Sequence, residues 1–306
     1  MNKTVVCPNI VIYHNALDIC NDLIDLAKES ESLTGKQYHL PPSRKWLMYG
    51  SITQVDGAMD ENIYTEDEES LKQKTIFKKV YDAYETVCND FFENHLDQKD
   101  FPDFVENFDR SNKEYWRESG ISILKYDIKD QDYYDNQASM IHNRTMGYHT
   151  DTKYYDSESR GDKLIVTVTM YLNDEYDGGE ICFLDTATGK QYAYKPKPGD
   201  ITVFPSGEPY WHSVLPSYNA ERYLARLFCM YSYAGSKEWL ANEKEFGQEE
   251  WANMEKERLQ EVWESGSSQT VVVFPGEEEP KDSPYKVLKI ESEPIEVIAS
   301  IDQNLG

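Results

Sequence analysis

KLIVTVTMYLNDEYDGGEICFLDTATGKQYAYKPKPGDITVF, residues 163–204, is the stretch that decides the fold. It holds three short runs rich in β-branched and aromatic residues: KLIVTVTMYL (163–172), EICFL (180–184) and DITVF (200–204). The spacers between them are made of Asn, Asp, Gly, Thr and Pro. Two more such runs lie on either side, ISILKY (121–126) and RYLARLFCMY (222–231). Short strands separated by turn residues indicate an all-β sandwich or barrel. Gly178–Gly179 and Pro198–Gly199–Asp200 read as tight turns, because no phosphate-loop spacing surrounds the glycines.

Outside this core the period changes. VVCPNIVIY (5–13) reads as one short strand interrupted by Pro8. A helix is expected after Asn15, where Leu17, Cys20, Leu23, Ile24 and Ala27 recur at helical spacing. ESESLTGKQYHLPPSRK (29–45) reads as a loop. The spacing of Phe77, Val80, Tyr81, Tyr84, Val87, Cys88 and Phe91 predicts a second helix over 70–95, with Ser70 as its cap. A helix with a broken apolar stripe is expected over 236–264. TVVVF, YKVLKI and EPIEVIA then suggest three short strands in the tail. This gives N-terminal elements over 1–115, a β core over 116–235 and a C-terminal extension over 236–306.

The chain of 306 residues carries 31 Lys and Arg against 56 Asp and Glu, a formal net charge of −25. That balance excludes a sequence-independent nucleic-acid clamp, which needs a cationic face, and disfavours docking on an anionic membrane. No apolar stretch is long enough to span a bilayer, and MNKTVVCPNIVIYHN lacks the apolar run of a signal peptide. The five cysteines show no CxxC pairing, which fits reduced thiols in a cytoplasmic protein; Cys182, inside ICF, reads as core. The charge is unevenly spread. Residues 139–233 hold 9 basic and 12 acidic side chains, whereas 1–138 hold 15 and 27, and 234–306 hold 7 and 17.

The nearly balanced segment also holds the chemistry. His149 and Asp151 are two apart, so in extended backbone they point to the same side and can share one ion. Alone, such a pair is a common surface-loop pattern. His212, in WHSVLP, offers the imidazole that would complete two histidines and one carboxylate. That set occupies one face of an octahedral ion, suits non-haem Fe(II) and leaves positions open for substrate and oxygen. Arg222 follows ten residues later at the head of the last strong strand, and a guanidinium holds a carboxylate bidentately. Arg226 shares its strand face and reads equally as a salt-bridge partner or a cosubstrate contact. His14, His39 and His95 have no such company and read as surface or capping residues.

The run from Tyr126 to Tyr233 resembles the double-stranded β-helix core of the 2-oxoglutarate- and Fe(II)-dependent dioxygenases, and within them the prolyl 4-hydroxylase-like group. Four phrases match in order: GYHTD (147–151), VTMYLNDEYDGGEICF (168–183), KPKPGDITVFPS (195–206) and WHSVLPSYNAERY (211–223). PNIVIYHNALDICNDLIDLAKES (8–30) is similar to the strand and helix that precede this core. The resemblance implies a mainly β jelly-roll core buttressed by N-terminal helices, with a small strand-rich C-terminal extension. It implies His149, Asp151 and His212 as iron ligands. Arg222 would pair with the distal carboxylate of 2-oxoglutarate, helped by Tyr126. The 23 residues from Tyr126 to His149 exceed the group's usual hairpin, an insertion rich in Asp, Tyr and Asn that would rim the site.

The implied cofactors are Fe(II), 2-oxoglutarate and O2, with ascorbate as a reductant. The implied reaction hydroxylates an unactivated C–H bond while 2-oxoglutarate is decarboxylated to succinate and CO2. Related halogenases carry a small residue at the position of Asp151, so its presence favours hydroxylation. A prolyl residue of a peptide or protein is the implied substrate, with a free amino acid or small metabolite as the alternative. His142, Arg144, Met146, Tyr148, Tyr210 and Trp211 flank the ligands; Arg144, Tyr148 and Trp211 are the candidate substrate contacts. A rival reading is a binding or assembly protein that keeps the fold, with residues 266–306 facing a protein partner. The overall style also resembles accessory oxygenases of tailed phages, which would allow a virion-associated location. A cupin-like protein holding Zn(II) or Mn(II) is disfavoured by Arg222, since a simple cupin needs no such anchor.

Overall fold

The structure is a computed structural model describing residues 1–34, 49–55, 68–101, 105–126, 146–151, 162–232, 237–251, 253–254, 257, 270–281 and 286–297. The helices used below are α1 (Cys20–Thr34), α2 (Glu68–Asn94) and α3 (Lys237–Phe246). The N-terminal strands are β1 (Lys3–Cys7), β2 (Ile10–Tyr13), β3 (Tyr49–Val55), β4 (Trp116–Glu118) and β5 (Ile121–Tyr126). Next come β6 (Met146–His149), β7 (Asp162–Tyr171), β8 (Asp177–Gly178), β9 (Ile181–Asp185), β10 (Lys190–Tyr194) and β11 (Ile201–Pro205). The last are β12 (Trp211–Val214), β13 (Ser217–Tyr218), β14 (Arg222–Ser232), β15 (Thr270–Val273), β16 (Lys286–Lys289) and β17 (Ile295–Glu296).

Two sheets face each other as a jelly roll. The larger runs β1-β2-β11-β7-β14-β5-β3, with β4 also on β14; the smaller runs β17-β10-β9-β12-β6. Strand alternation explains the layers. On β14, Tyr223, Ala225, Leu227 and Cys229 join a core shared with Leu23 and Ala27 of α1 and Phe77, Val80 and Phe91 of α2. Their neighbour Leu224 instead joins Ile12, Tyr126, Tyr171, Phe183 and Phe204 between the sheets. Arg222 and Arg226 lie two residues either side of Leu224 and share its inward face. The large sheet is thus greased on its helix side and mixed polar and apolar on its inner side.

Local chemistry moves several boundaries. VVCPNIVIY is a hairpin rather than a single strand: β1 and β2 pair antiparallel, and Asn9 sits at φ 62 after Pro8. Proline followed by a residue at positive φ is the composition of a type II turn. The first helix begins at Cys20, because Asn15 has φ 50 and the Ala16 and Leu17 amides donate to the Gly199 carbonyl. It continues to Thr34, so the expected loop starts later than residue 29. No Gly or Pro interrupts ESESLT, and residues 35–48, with His39, lie outside the described residues. Helix α2 starts at Glu68, which places Ser70 inside its first turn and not at the cap. The expected helix over 236–264 breaks at Gly247, whose φ of 88 is a left-handed stop. His14 is no surface residue: it hydrogen-bonds Thr4 and packs beside Tyr194 and Asp200. His95 does close α2, its amide donating to the Phe91 carbonyl.

The C-terminal strands are not a free appendage. Parallel β15 and β16 lead to β17, which pairs in parallel with β10 and so completes the smaller sheet. Cys182 is fully buried, and all five cysteines are free thiols. Among the described residues no helix is long and apolar enough to cross a membrane.

Candidate metal and cosubstrate site

His149 ends β6, and His212 lies directly opposite it in the antiparallel β6–β12 ladder. The two rings are 4.2 Å apart between centroids. Asp151 follows β6, held by its amide to the Ser206 carbonyl at 2.9 Å. Its Oδ1 is 3.9 Å from His149 Nε2, and its Oδ2 is 3.8 Å from His212 Nε2. One donor atom from each residue lies within 4.8 Å of the others. Among the described residues this is the one group of three or more His, Cys, Asp or Glu side chains arranged to hold an ion.

Their surroundings select the protonation states an ion needs. His149 Nδ1 is 2.8 Å from the Gly147 carbonyl, which favours Nδ1–H and leaves the Nε2 lone pair toward the cluster. Burial pushes the His212 imidazole down to about 3, so it is neutral at physiological pH. Phe204 packs edge-on against that ring at 4.7 Å. Burial alone would raise the Asp151 carboxyl, but His212, Arg226, His149 and a Thr167 hydrogen bond together hold it below the usual carboxylate range. Thr167 donates to Asp151 Oδ2 at 2.6 Å and meets the Ser206 hydroxyl at 2.9 Å, which fixes the carboxylate plane. Two imidazoles and a fixed carboxylate fit a divalent first-row ion.

Arg222 heads β14 and is 1% exposed. It stands directly opposite Tyr126 in the β14–β5 ladder. Its guanidinium carbon lies 4.8 Å from the Tyr126 ring centroid, 5.7 Å from Tyr171 and 5.8 Å from Tyr176. Arg222 Nε and Nη1 have no hydrogen-bond partner among the described residues, nor has the buried Tyr176 hydroxyl. A buried cation among three rings with donors unused is built for an anion that supplies acceptor oxygens. Asn173 anchors this end of the strand, donating to the Glu221 carbonyl and accepting from the Tyr223 amide. Lys195 donates to the Tyr176 and Gly178 carbonyls and lies 3.8 Å over the Tyr176 ring. The glycine turn is forced: a Cβ on Gly178 would meet the Pro216 carbonyl oxygen at 2.2 Å, and one on Gly179 would meet Tyr176 at 2.6 Å.

Two of the three candidate substrate contacts are placed elsewhere. Trp211 and Tyr148 precede the two histidines in their strands and therefore point to the opposite face. There they pack with Leu184, Leu288 and Ile290 rather than beside the triad. Tyr210 accepts a hydrogen bond from Asn9. His142 and Arg144 lie outside the described residues, as does the side chain of Met146. Sequence reasoning missed Thr167, Asn173, Tyr176 and Lys195. Thr167 had a signal, because threonines alternate with valines in IVTVTM and one face of that strand had to be polar. Tyr176 and Lys195 sit in turn-rich spacers that carry no periodicity.

Residues 136–230 match the family described as the 2OG-Fe(II) oxygenase superfamily. No curated protein matches the sequence. Among solved structures, the chain is similar to a prolyl hydroxylase from Trichoplax adhaerens in complex with a hypoxia inducible factor peptide. That match has 14% identity, a TM-score of 0.47, and covers 73% of this chain and 84% of that one. A Pseudomonas putida prolyl-4-hydroxylase gives 16% identity and a TM-score of 0.43 over 72% of this chain and 92% of that one. The dioxygenase for auxin oxidation 1 of Arabidopsis thaliana gives 13% and 0.42 over 72% and 82%. The matched segment 136–230 carries His149, Asp151, His212 and Arg222, the residues that the geometry above groups into a candidate ion site and a buried guanidinium.

Proposed function

We propose that His149, Asp151 and His212 hold the Fe(II), that Arg222 and Tyr126 hold the distal carboxylate of 2-oxoglutarate, and that the chain hydroxylates a prolyl residue of a peptide or protein. The observation that carries the cosubstrate assignment is Arg222, a buried guanidinium with Nε and Nη1 unpartnered among the described residues. Leaving such donors unsatisfied costs about 1–3 kcal/mol or more, which a bound carboxylate recovers. When bound, Fe(II), 2-oxoglutarate and O2 supply oxidative decarboxylation and oxygen transfer to a C–H bond. The chain's own residues orient and shield. Thr167 sets the Asp151 carboxylate, the Gly147 carbonyl sets the His149 ring, and Phe204 and Phe183 keep water from His212.

The prolyl assignment rests on the four ordered phrases shared with the prolyl 4-hydroxylase-like group. The acid excess of the flanks favours a cationic or neutral substrate over nucleic acid. Incubation with Fe(II), 2-oxoglutarate, ascorbate and a proline-containing peptide library tests it by mass spectrometry. The expected product is a prolyl residue that has gained one oxygen atom. Succinate formed with every peptide unchanged, while a free amino acid or small metabolite gains oxygen, would overturn the prolyl assignment.

A further inference from the structure

The strand that carries His149 is a weak element on its own. β6 has four residues, lies at the end of the five-stranded sheet and is laddered to β12, where the register slips between His212 and Val214. A short edge strand with one slipped ladder is poorly specified by its own hydrogen bonds. Yet it must hold an imidazole in place against His212 on the next strand.

The outer face of the sheet supplies the missing constraint. Trp211, the strand neighbour of His212, clusters with Leu288, Ile290 and its cross-strand partner Leu184 of β9, and Tyr148, the strand neighbour of His149, packs against this cluster. Tyr148 donates its hydroxyl to Gln191 Oε1 at 2.8 Å, and Gln191 Nε2 donates to the Ser292 carbonyl at 2.6 Å. Gln191 is 1% exposed, so this relay is buried. The segment is locked to the sheet beyond it by Glu291 N to Gly189 O, by Val297 N to Ala193 O, and by the β17–β10 pairing. Gly189 permits the approach, since a Cβ there would lie 2.5 Å from the Glu291 side chain. Lys286 lies over the Trp211 ring and pairs with Glu208, three residues before that tryptophan.

We propose that residues 286–297 are a positioning element for the metal site, setting His149 and His212 from behind through Tyr148 and Trp211. The inference rests on the reading of these histidines as metal ligands. Leu288 and Ile290 of this segment are spent on the face behind the strands that bear the histidines.

The test is Co(II) affinity of the full chain, measured by equilibrium dialysis together with the visible spectrum of the bound ion. Deleting the tail would remove a sheet strand, so two milder variants are used, Gln191→Leu and Leu288→Ala. Val87→Ala, in the core beneath the helices, serves as a destabilised control. Both tail-facing variants are expected to weaken Co(II) binding about tenfold and to alter its spectrum, as loss of a ligand-supporting contact does. Val87→Ala should lower the melting temperature while leaving Co(II) affinity within about twofold of the parent. Parental Co(II) affinity in both tail-facing variants, or an equal loss in Val87→Ala, would overturn the proposal. Failure of the underlying reading looks different: His149→Ala and His212→Ala would then bind Co(II) as the parent does, which overturns both.

Discussion

Arg222 and Tyr126 are direct cross-strand partners, and the guanidinium carbon of one lies 4.8 Å from the ring centre of the other. This pairing puts a permanent charge and a phenol at one end of the inter-sheet space. Two inward-facing steps further along β14, Arg226 contributes to the field that keeps Asp151 ionised. Arg222 and Tyr126 thus stand on the larger sheet, and His149 and His212 on the smaller sheet facing it.

Removing the anion end should separate cosubstrate binding from metal binding. Arg222→Met is expected to weaken 2-oxoglutarate binding on the order of a hundredfold, the usual result of truncating one partner of a buried charge pair. Arg222→Lys should recover part of this, because it restores charge without the bidentate fork. Tyr126→Phe and Tyr176→Phe should each cost about tenfold, as loss of one hydrogen bond to a charged group does. Calorimetric titration of the anaerobic Fe(II)-loaded protein reads all four, with Fe(II) affinity unchanged within about threefold.

Thr167→Val tests the carboxylate support. The substitution keeps the shape of the side chain and removes the donor to Asp151 Oδ2 and its contact with Ser206. Fe(II) affinity should fall about tenfold, the scale on which such supporting groups act. Cosubstrate affinity measured at saturating iron should stay near the parental value.

Asp200 predicts a pH signature away from the chemistry. Burial alone would raise its carboxyl, but His14, Tyr194 and the Lys197 and Asn15 amides hold it below the usual range. A carboxyl depressed on folding stabilises above its unfolded value near ~3.9, and that stability is lost as pH falls through the folded value. Asp200→Asn is therefore expected to cost about 2 kcal/mol at neutral pH. The difference from the parent should shrink as the pH is lowered below ~4. Urea unfolding at both pH values checks it; a difference that persists at low pH would contradict the charge-based account.

How much of this was legible in the sequence depends on the kind of signal. The β core read well because 163–172, 180–184, 200–204 and 222–231 differ from the observed strands by about a residue, the ordinary uncertainty of strand ends. His149 and Asp151 read from two-residue alternation and His212 and Arg222 from the ordered phrases that hold them, and the structure brings all three triad residues together. Alternation also should have turned Tyr148 and Trp211 away from the histidines, since adjacent strand residues face opposite sides. What no local pattern showed was tertiary. Tyr176 reaches Arg222 from a glycine turn, and Leu288 reaches Trp211 from a tail whose own strands gave no hint of their partner.

The most direct test of the whole account is an anaerobic titration of the metal-free chain, first with Fe(II) and then with 2-oxoglutarate. The account predicts one Fe(II) per chain, binding lost in Asp151→Ala and His212→Ala, and tight 2-oxoglutarate binding only after iron, lost in Arg222→Met. Iron binding that survives removal of His212 and Asp151, or tight 2-oxoglutarate binding that ignores iron and Arg222, would contradict it.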